Sequence, residues 1–320
     1  MQHCFRVAAL ALGLATSPAF ASFIIVPTWA SAIASDANAA TIEATINSVI
    51  STYEAKITDN VTVNITFDEM STGLGQSSVP VYGIGYSTFI NALFSHSASV
   101  DDATALVKLS KTATSDPVDS QTLIFLKGPI ARALGVGTFA ANHTTNDGTI
   151  SLKTSIMNLS RTGGQNSSYY DLQSVVEHEI DEVLGLGSGL GLSYAMPEDL
   201  FRYASVGSSC ASVSGRSYTA TTTAKSCFSI NGSASLAQFN NTGSGDYGDW
   251  LTTATQSSPG SARVQDATGT PGAQANLGVE WQALDVIGYT MAATATPEPA
   301  TWMLAAPIMV AGLLRRRRIS

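Results

Sequence analysis

Three residues in the segment from Asp171 to Leu184 have types and spacing that could do chemistry together. His178 and Glu182 stand four apart, and Glu179 directly follows the histidine. On a helix, side chains at i and i+4 project side by side from one flank. An imidazole and a carboxylate placed that way can grip one ion, and the intervening Glu179 reaches a metal-bound water as general base. The surrounding charges point the same way. Glu177, Glu179, Asp181 and Glu182 fall within six residues, and no Lys or Arg lies between Arg161 and Arg202. Anions crowded on one helix repel unless something positive sits nearby. The alternative is a solvated acidic face on which His178 is an ordinary surface histidine. The spacing leaves both readings open. The remaining histidines of the body, His96 and His143, read as loop or surface residues.

The element that must present these side chains is a helix. Leu172, Val175, Val176, Ile180, Val183 and Leu184 gather on one stripe at 100° per residue, and Gly185 and Gly187 supply a C-terminal stop. Upstream, residues 23–26 read as a short strand that Pro27 ends or bends. Asp36 is placed to cap a helix carrying Ile42, Ile46, Val49, Ile50 and Tyr53 at helical spacing. Residues 61–67 alternate with β-branched residues and predict a strand. Strand, helix, strand in that order predicts an α/β or α+β layered domain with at least one crossover. Residues 71–85, rich in Gly and Ser, read as a long loop. Short helices are expected at 86–94, 101–109 and 129–134. Asp147-Gly148 reads as a turn and residues 149–156 as a strand. Beyond Gly187 the chain is rich in Ser, Thr, Gly and Asn. Loops and short strands are expected there, because Phe201, Tyr203, Phe228, Ile230, Phe239 and Trp250 need burial. A last helix is expected over 279–287.

The run Ser174 to Gly185 resembles the active-site helix of the metzincin zinc proteases, whose signature is H-E-x-x-H-x-x-G; Gly185 takes the glycine's place. Three further patches are similar to exported bacterial metalloproteases of this type: residues 147–150, residues 197–203 and residues 283–289. The resemblance implies a metzincin-like fold, a twisted mixed sheet with an active-site helix and a loop-rich C-terminal half. It implies one divalent metal, zinc, and a protein or peptide substrate. Glu182 stands where the family has its second histidine. Where relatives carry a His-Trp pair downstream, this chain has Asp249-Trp250, so the implied metal ligands are His178, Glu182 and Asp249, with Glu179 catalytic. Residues 264–267, which include Gln265, sit about where a Met-turn is expected, but no such turn is recognisable. One imidazole and two carboxylates can hold zinc, and manganese or iron become competitive. Two classes of function follow. One is an exported metallopeptidase; the other is a non-catalytic cell-envelope or matrix protein on a degenerate metalloprotease scaffold. The retained Glu179 favours the first, and the lost histidines favour the second.

The two ends read as addresses. Arg6, an apolar run over 7–15 and Ala19-Phe20-Ala21 fit a secretory signal spanning residues 1–21. The metallopeptidase-like domain then covers 22–290 and a linker 291–296. The tail, 297–320, opens on Pro297-Glu298-Pro299, continues as an apolar stretch over 300–314 and ends in Arg315 to Arg318. It resembles the PEP-CTERM sorting signal. That implies passage through export machinery, transient anchoring in the inner membrane, processing by an exosortase, and release or transfer to the cell surface. Fifteen residues span only about 22 Å as a helix, short of the roughly 30 Å hydrocarbon core.

Of the 320 residues, 44% are apolar and 12% charged, which argues against a disordered chain or a coiled coil. The net charge is −8. Five of the 16 basic residues lie in the two end segments, against only Glu298 among the 24 acidic ones, so the body is more acidic still and should repel a nucleic-acid backbone. Cys4 lies in the signal. Cys210 and Cys227 remain, and in an exported chain they are expected to pair.

Overall fold

The computed structural model describes residues 22–137, 146–207, 209–252 and 261–293. The segments read as a secretory signal and a sorting tail, His143 and the end of the expected linker lie outside them. The strand predicted over 61–67 is the middle of the main sheet. Strand β1 (Ile24–Trp29) is followed by the short helix α1 (Ser31–Ala34), by helix α2 (Ala39–Lys56) and by β2 (Thr62–Glu69). β1 and β2 pair in parallel, so the long α2 is the crossover between them. Val63, Ile65 and Phe67 turn one face of β2 into the core.

Pro27 does not end β1. The strand runs on to Trp29, with Pro27 opposite Ile65. β1 is the sheet's edge, where a residue without an N–H can be accommodated on the open side. Asp36 does not cap α2 either; its carboxylate accepts from the Asn38 N–H at 2.6 Å, making a turn between α1 and α2.

The segment read as a long loop contains two strands, β3 (Gly75–Ser78) and β4 (Val81–Gly85). Residues such as Gly75, Ser77 and Ser78 carry no strand signal of their own, so pairing with a neighbour decides their conformation. Helices α3 (Tyr86–His96) and α4 (Val100–Leu106) follow, then β5 (Leu123–Lys127), α5 (Gly128–Ala133) and β6 (Gly148–Leu152). Gly148 opens this strand rather than forming a turn. β6 stops at Leu152, earlier than expected, because residues 154–156 turn as a 3-10 helix. The main sheet has the order β1-β2-β6-β3, with β3 antiparallel to β6 at the far edge. β4 and β5 form a separate antiparallel pair.

Strands β7 (Met157–Asn158) and β8 (Tyr170–Asp171) make a short parallel bridge just before α6 (Leu172–Leu184). The second half holds β9 (Arg202–Ser205), β10 (Val213–Arg216), β11 (Ser226–Phe228) and β12 (Ala237–Gln238), an antiparallel sheet of order β10-β9-β11-β12, and then α7 (Val279–Ile287). Phe201, Phe228, Phe239 and Trp250 are buried there, as expected. Cys210 and Cys227 form a disulfide, Cα to Cα 5.9 Å. The described residues thus make a mixed-sheet α+β domain with seven α-helices. None of these helices is long and apolar enough to cross a membrane. The chain stays packed as far as Ala292, whose N–H donates to the Lys56 carbonyl at 2.7 Å.

Candidate metal centre

Helix α6 is pinned at both ends. Asp171 is its N-cap and accepts from the Ser174 N–H at 3.0 Å. Arg161 grips the same Asp171 oxygen with Nε at 2.9 Å and Nη2 at 2.7 Å. At the other end, Lys127 of β5 donates its ammonium to the carbonyls of Glu182 and Leu186, both at 2.6 Å. A cation there satisfies end carbonyls and complements the helix dipole. The apolar stripe from Leu172 to Leu184 is buried as its spacing predicts. Tyr53 of α2 donates its hydroxyl to the Asp181 carboxylate at 2.7 Å and locks the helix against α2. Asp181, read as part of an acidic cluster, is therefore an interior contact.

With the helix fixed, His178 and Glu182 share one flank and Asp249 meets them from the second half. One ligand atom from each of the three lies within 4.8 Å of the others. His178 Nε2 is 3.6 Å from Glu182 Oε1 and 3.7 Å from Asp249 Oδ1. These separations exceed hydrogen bonds. They come close to the edge of a tetrahedron around one ion, about 3.3 Å for bonds of about 2.0–2.1 Å. His178 Nδ1 lies 2.9 Å from the Val264 carbonyl, which accepts its proton, so Nε2 is the nitrogen turned toward the carboxylates. Ser77 of β3 donates to Glu182 Oε2 at 2.5 Å, so the other oxygen is the one turned to His178. One imidazole and two carboxylates in this geometry fit a divalent cation; the donor set does not select which one.

Asp249 is delivered by packing. Trp250 is buried among Phe228 and Phe239, ring centroids 5.4 and 5.2 Å away. Its backbone bridges Phe239 on one side and Asp266 on the other. Glu280 of α7 accepts from Trp250 Nε1 at 3.0 Å and from the Gln265 N–H at 3.2 Å, tying the two segments together. Just before Asp249, Gly248 touches the turn that ends α6; a Cβ there would lie 2.4 Å from the Gly187 Cα. Arg202, fully buried, donates to the Tyr247 carbonyl and stacks 3.8 Å over the Phe239 ring.

Glu179 stands beside the triad and outside it. Its Oε1 lies against β3, where a Cβ on Gly75 would come within 2.4 Å. Its Oε2 is buried with no hydrogen-bond partner among the described residues. A cleft of about 330 Å³ is lined by both His178 and Glu179, together with Leu74, Tyr170, Val264 and Ala267.

The electrostatics are those of a site short of positive charge. Burial, then the nearby Glu182 charge, pushes the Glu179 carboxyl well above its usual range. Asp249 is raised to about 8, chiefly by burial, against the attraction of His178. For Glu182 burial is outweighed by the His178, Lys127 and Ser77 contacts, which pull it down to about 2. Burial opposes charging His178, but the Asp249, Glu182 and Glu179 carboxylates overcome it and hold the imidazole well above its ordinary value. A bound cation replaces protons in such a cluster.

Of the other candidates, His96 bonds to Asp59 at 2.7 Å and to Thr290 at 3.1 Å, a structural contact rather than a ligand set. Asp199, a buried acid outside the group of three, accepts from the Ser188 hydroxyl at 2.5 Å and from two backbone N–H groups. Ser77, Gly75 and Lys127 carried no signal in the sequence, since each acts only through a partner distant along the chain. No protein-family model, curated protein or solved structure matches the chain.

Proposed function

We propose that the chain is an exported metallopeptidase with a metzincin-like fold, in which His178, Glu182 and Asp249 hold one divalent ion and Glu179 is the general base. The observation that carries this reading is the convergence of the three side chains at coordination distances, with Glu179 on the adjoining cleft wall and not among them. Zinc is the ion assigned by resemblance, with manganese or iron competitive at two carboxylates. When bound, the ion polarises the scissile carbonyl and makes the attacking water more acidic.

Glu179 has the placement of a proton carrier. Its carboxyl belongs to the wall of the cleft next to His178, where it would take a proton from water and pass it to the leaving amine. The cleft measures about 330 Å³, and β3 at its rim is an edge strand, along which an extended substrate backbone would pair. The retained base favours this reading over a non-catalytic envelope protein, because a purely structural ion needs no carboxyl poised next to it.

Export is part of the same proposal. It rests on the signal over 1–21 and the sorting tail over 297–320, and the Cys210–Cys227 disulfide suits an oxidising compartment. The partners are the export machinery and an exosortase, with the membrane engaged through the tail before processing; the acidic body offers nothing to nucleic acid.

The test is metal content of the purified mature protein, then casein hydrolysis with and without a chelator. Glu179→Gln should keep the metal and lose about 10²–10⁴-fold in rate, since an amide cannot take the proton. Wild-type hydrolysis by that variant refutes the role of Glu179. A folded protein that binds no divalent metal refutes the site.

A further inference from the structure

The side chain of Gln265 lies inside the triad. It is fully buried, and its amide Nε2 sits 3.1 Å from Asp249 Oδ1 and 3.4 Å from His178 Nε2. Both lengths are near the edge of about 3.3 Å expected between two ligand atoms on one ion. Its amide oxygen has no hydrogen-bond partner among the described residues. The backbone holds the residue firmly, with its carbonyl accepting from Trp250 at 2.8 Å and its N–H bonded to Glu280 at 3.2 Å.

We propose that Gln265 is a fourth ligand of the ion held by His178, Glu182 and Asp249, binding through its amide oxygen. The inference rests on the reading of the triad as an ion site. An ion seated among the three would face the Gln265 NH₂ group, and a donor pointed at a cation is repelled. The oxygen and nitrogen of an amide are nearly equal in size, so a half-turn about the last side-chain bond exchanges them without moving the backbone. The half-turn puts the partnerless oxygen on the ion. It gives up the amide's hydrogen bond to Asp249, whose oxygen the ion then engages. The neighbouring Val264 carbonyl holds His178, so one short segment orients one ligand and supplies another.

The resulting set is one imidazole, two carboxylates and one amide oxygen. Three oxygens and a nitrogen suit manganese or iron, ions that accept more than four ligands and keep room for substrate. Zinc prefers four, and a tetrahedral zinc would be closed by the protein alone.

The experiment is calorimetric titration of the metal-free mature protein with Mn²⁺ and with Zn²⁺, comparing the wild type with Gln265→Met and Gln265→Glu. Methionine fills the space without an oxygen and should weaken Mn²⁺ binding more than about tenfold. Glutamate cannot donate to Asp249 but can ligate, so it should bind at least as tightly as the wild type. If Gln265→Glu does not fold, Gln265→His serves instead, as a neutral side chain able to ligate, and should keep more affinity than methionine. Unchanged binding by Gln265→Met overturns the proposal. Equal weakening by the methionine and the ligand-competent variant also overturns it, because the amide then acts only as a donor to Asp249. If the folded wild type binds neither ion while the variants are folded too, the ion site itself falls, an outcome distinct from both.

Discussion

At the scale of single residues, Gly75 decides where Glu179, the proposed base, can stand. Glu179 occupies the space a side chain would fill, with its Oε1 only 2.4 Å from where a Cβ on Gly75 would lie and Val175 Cγ1 2.7 Å away. The glutamate lies between β3, its own helix and the cleft. Gly75→Ala should therefore displace Glu179 by a fraction of an ångström to an ångström. A misplacement of that order costs about 100-fold in rate. The three ligands do not touch Gly75, so metal content should stay at the wild-type value. Parallel measurement of bound metal and casein hydrolysis checks this; equal loss of both would mean that the strand, and not the base, had moved. The pairing of a substituted glycine with a displaced carboxyl also separates Glu179 from Glu182, which is tied to Ser77 two residues on.

At the scale of elements, the ends of α4 and α7 meet through carboxylates. Ser99, the N-cap of α4, donates to Asp285 of α7 at 2.6 Å, while Asp102 accepts from the Ala98 and Ser99 N–H groups. Burial, partly offset by the Ser99 bond and reinforced by Asp102 and Asp101, raises Asp285 to about 6. Its folded-state value is above its unfolded one, so the folded protein favours the protonated form. The associated stability is intact below the ordinary carboxylate range and is lost as pH rises through about 6. Asp285→Asn keeps the shape without the charge. It should melt above the wild type at pH 8 and together with it at pH 3, below the ordinary carboxylate range, as thermal unfolding at the two values will show. A variant that melts lower at pH 8 would mean that the ionised carboxylate stabilises the helix contact.

At the scale of the whole molecule, the candidate centre joins parts far apart in sequence. α6 supplies two ligands, the segment after β12 a third, and the segment at 264–265 holds the histidine. An ion bound there links both halves of the domain and binds the folded state alone. At a free concentration 100-fold above its dissociation constant it should add about 2.7 kcal/mol of stability. Chelation should lower the melting temperature, and His178→Ala should show the lower value with or without added metal. A melting temperature indifferent to metal in the wild type would argue against an ion shared between the halves. The disulfide acts on a smaller region, stapling β11 to the turn before β10 within the second sheet.

The helical stripe of α6 and its Gly185 stop were legible in the sequence because they are local: a 3.6-residue period and an end signal. The same holds for α2 and β2, and for His178 and Glu182 as neighbours one turn apart. Asp249 was reached only through resemblance, since nothing in its own surroundings marks it. In β4 the glycines among Val81, Tyr82 and Ile84 hid a strand signal, and β3 could not be read, because its Gly, Gln and Ser residues become a strand only when β6 offers backbone partners. Pro27 misled for the same reason, its tolerance depending on β1 lying at an edge. The acidic run on α6 looked like one feature and proved to be several: Asp181 bonds to Tyr53, Glu179 faces the cleft, and Glu182 turns to the histidine. Composition and periodicity determine which segments are helices and which residue types are on hand to hold an ion. Which carboxylates meet one imidazole is decided by contacts between residues dozens of positions apart, and those exist only once the two halves have packed.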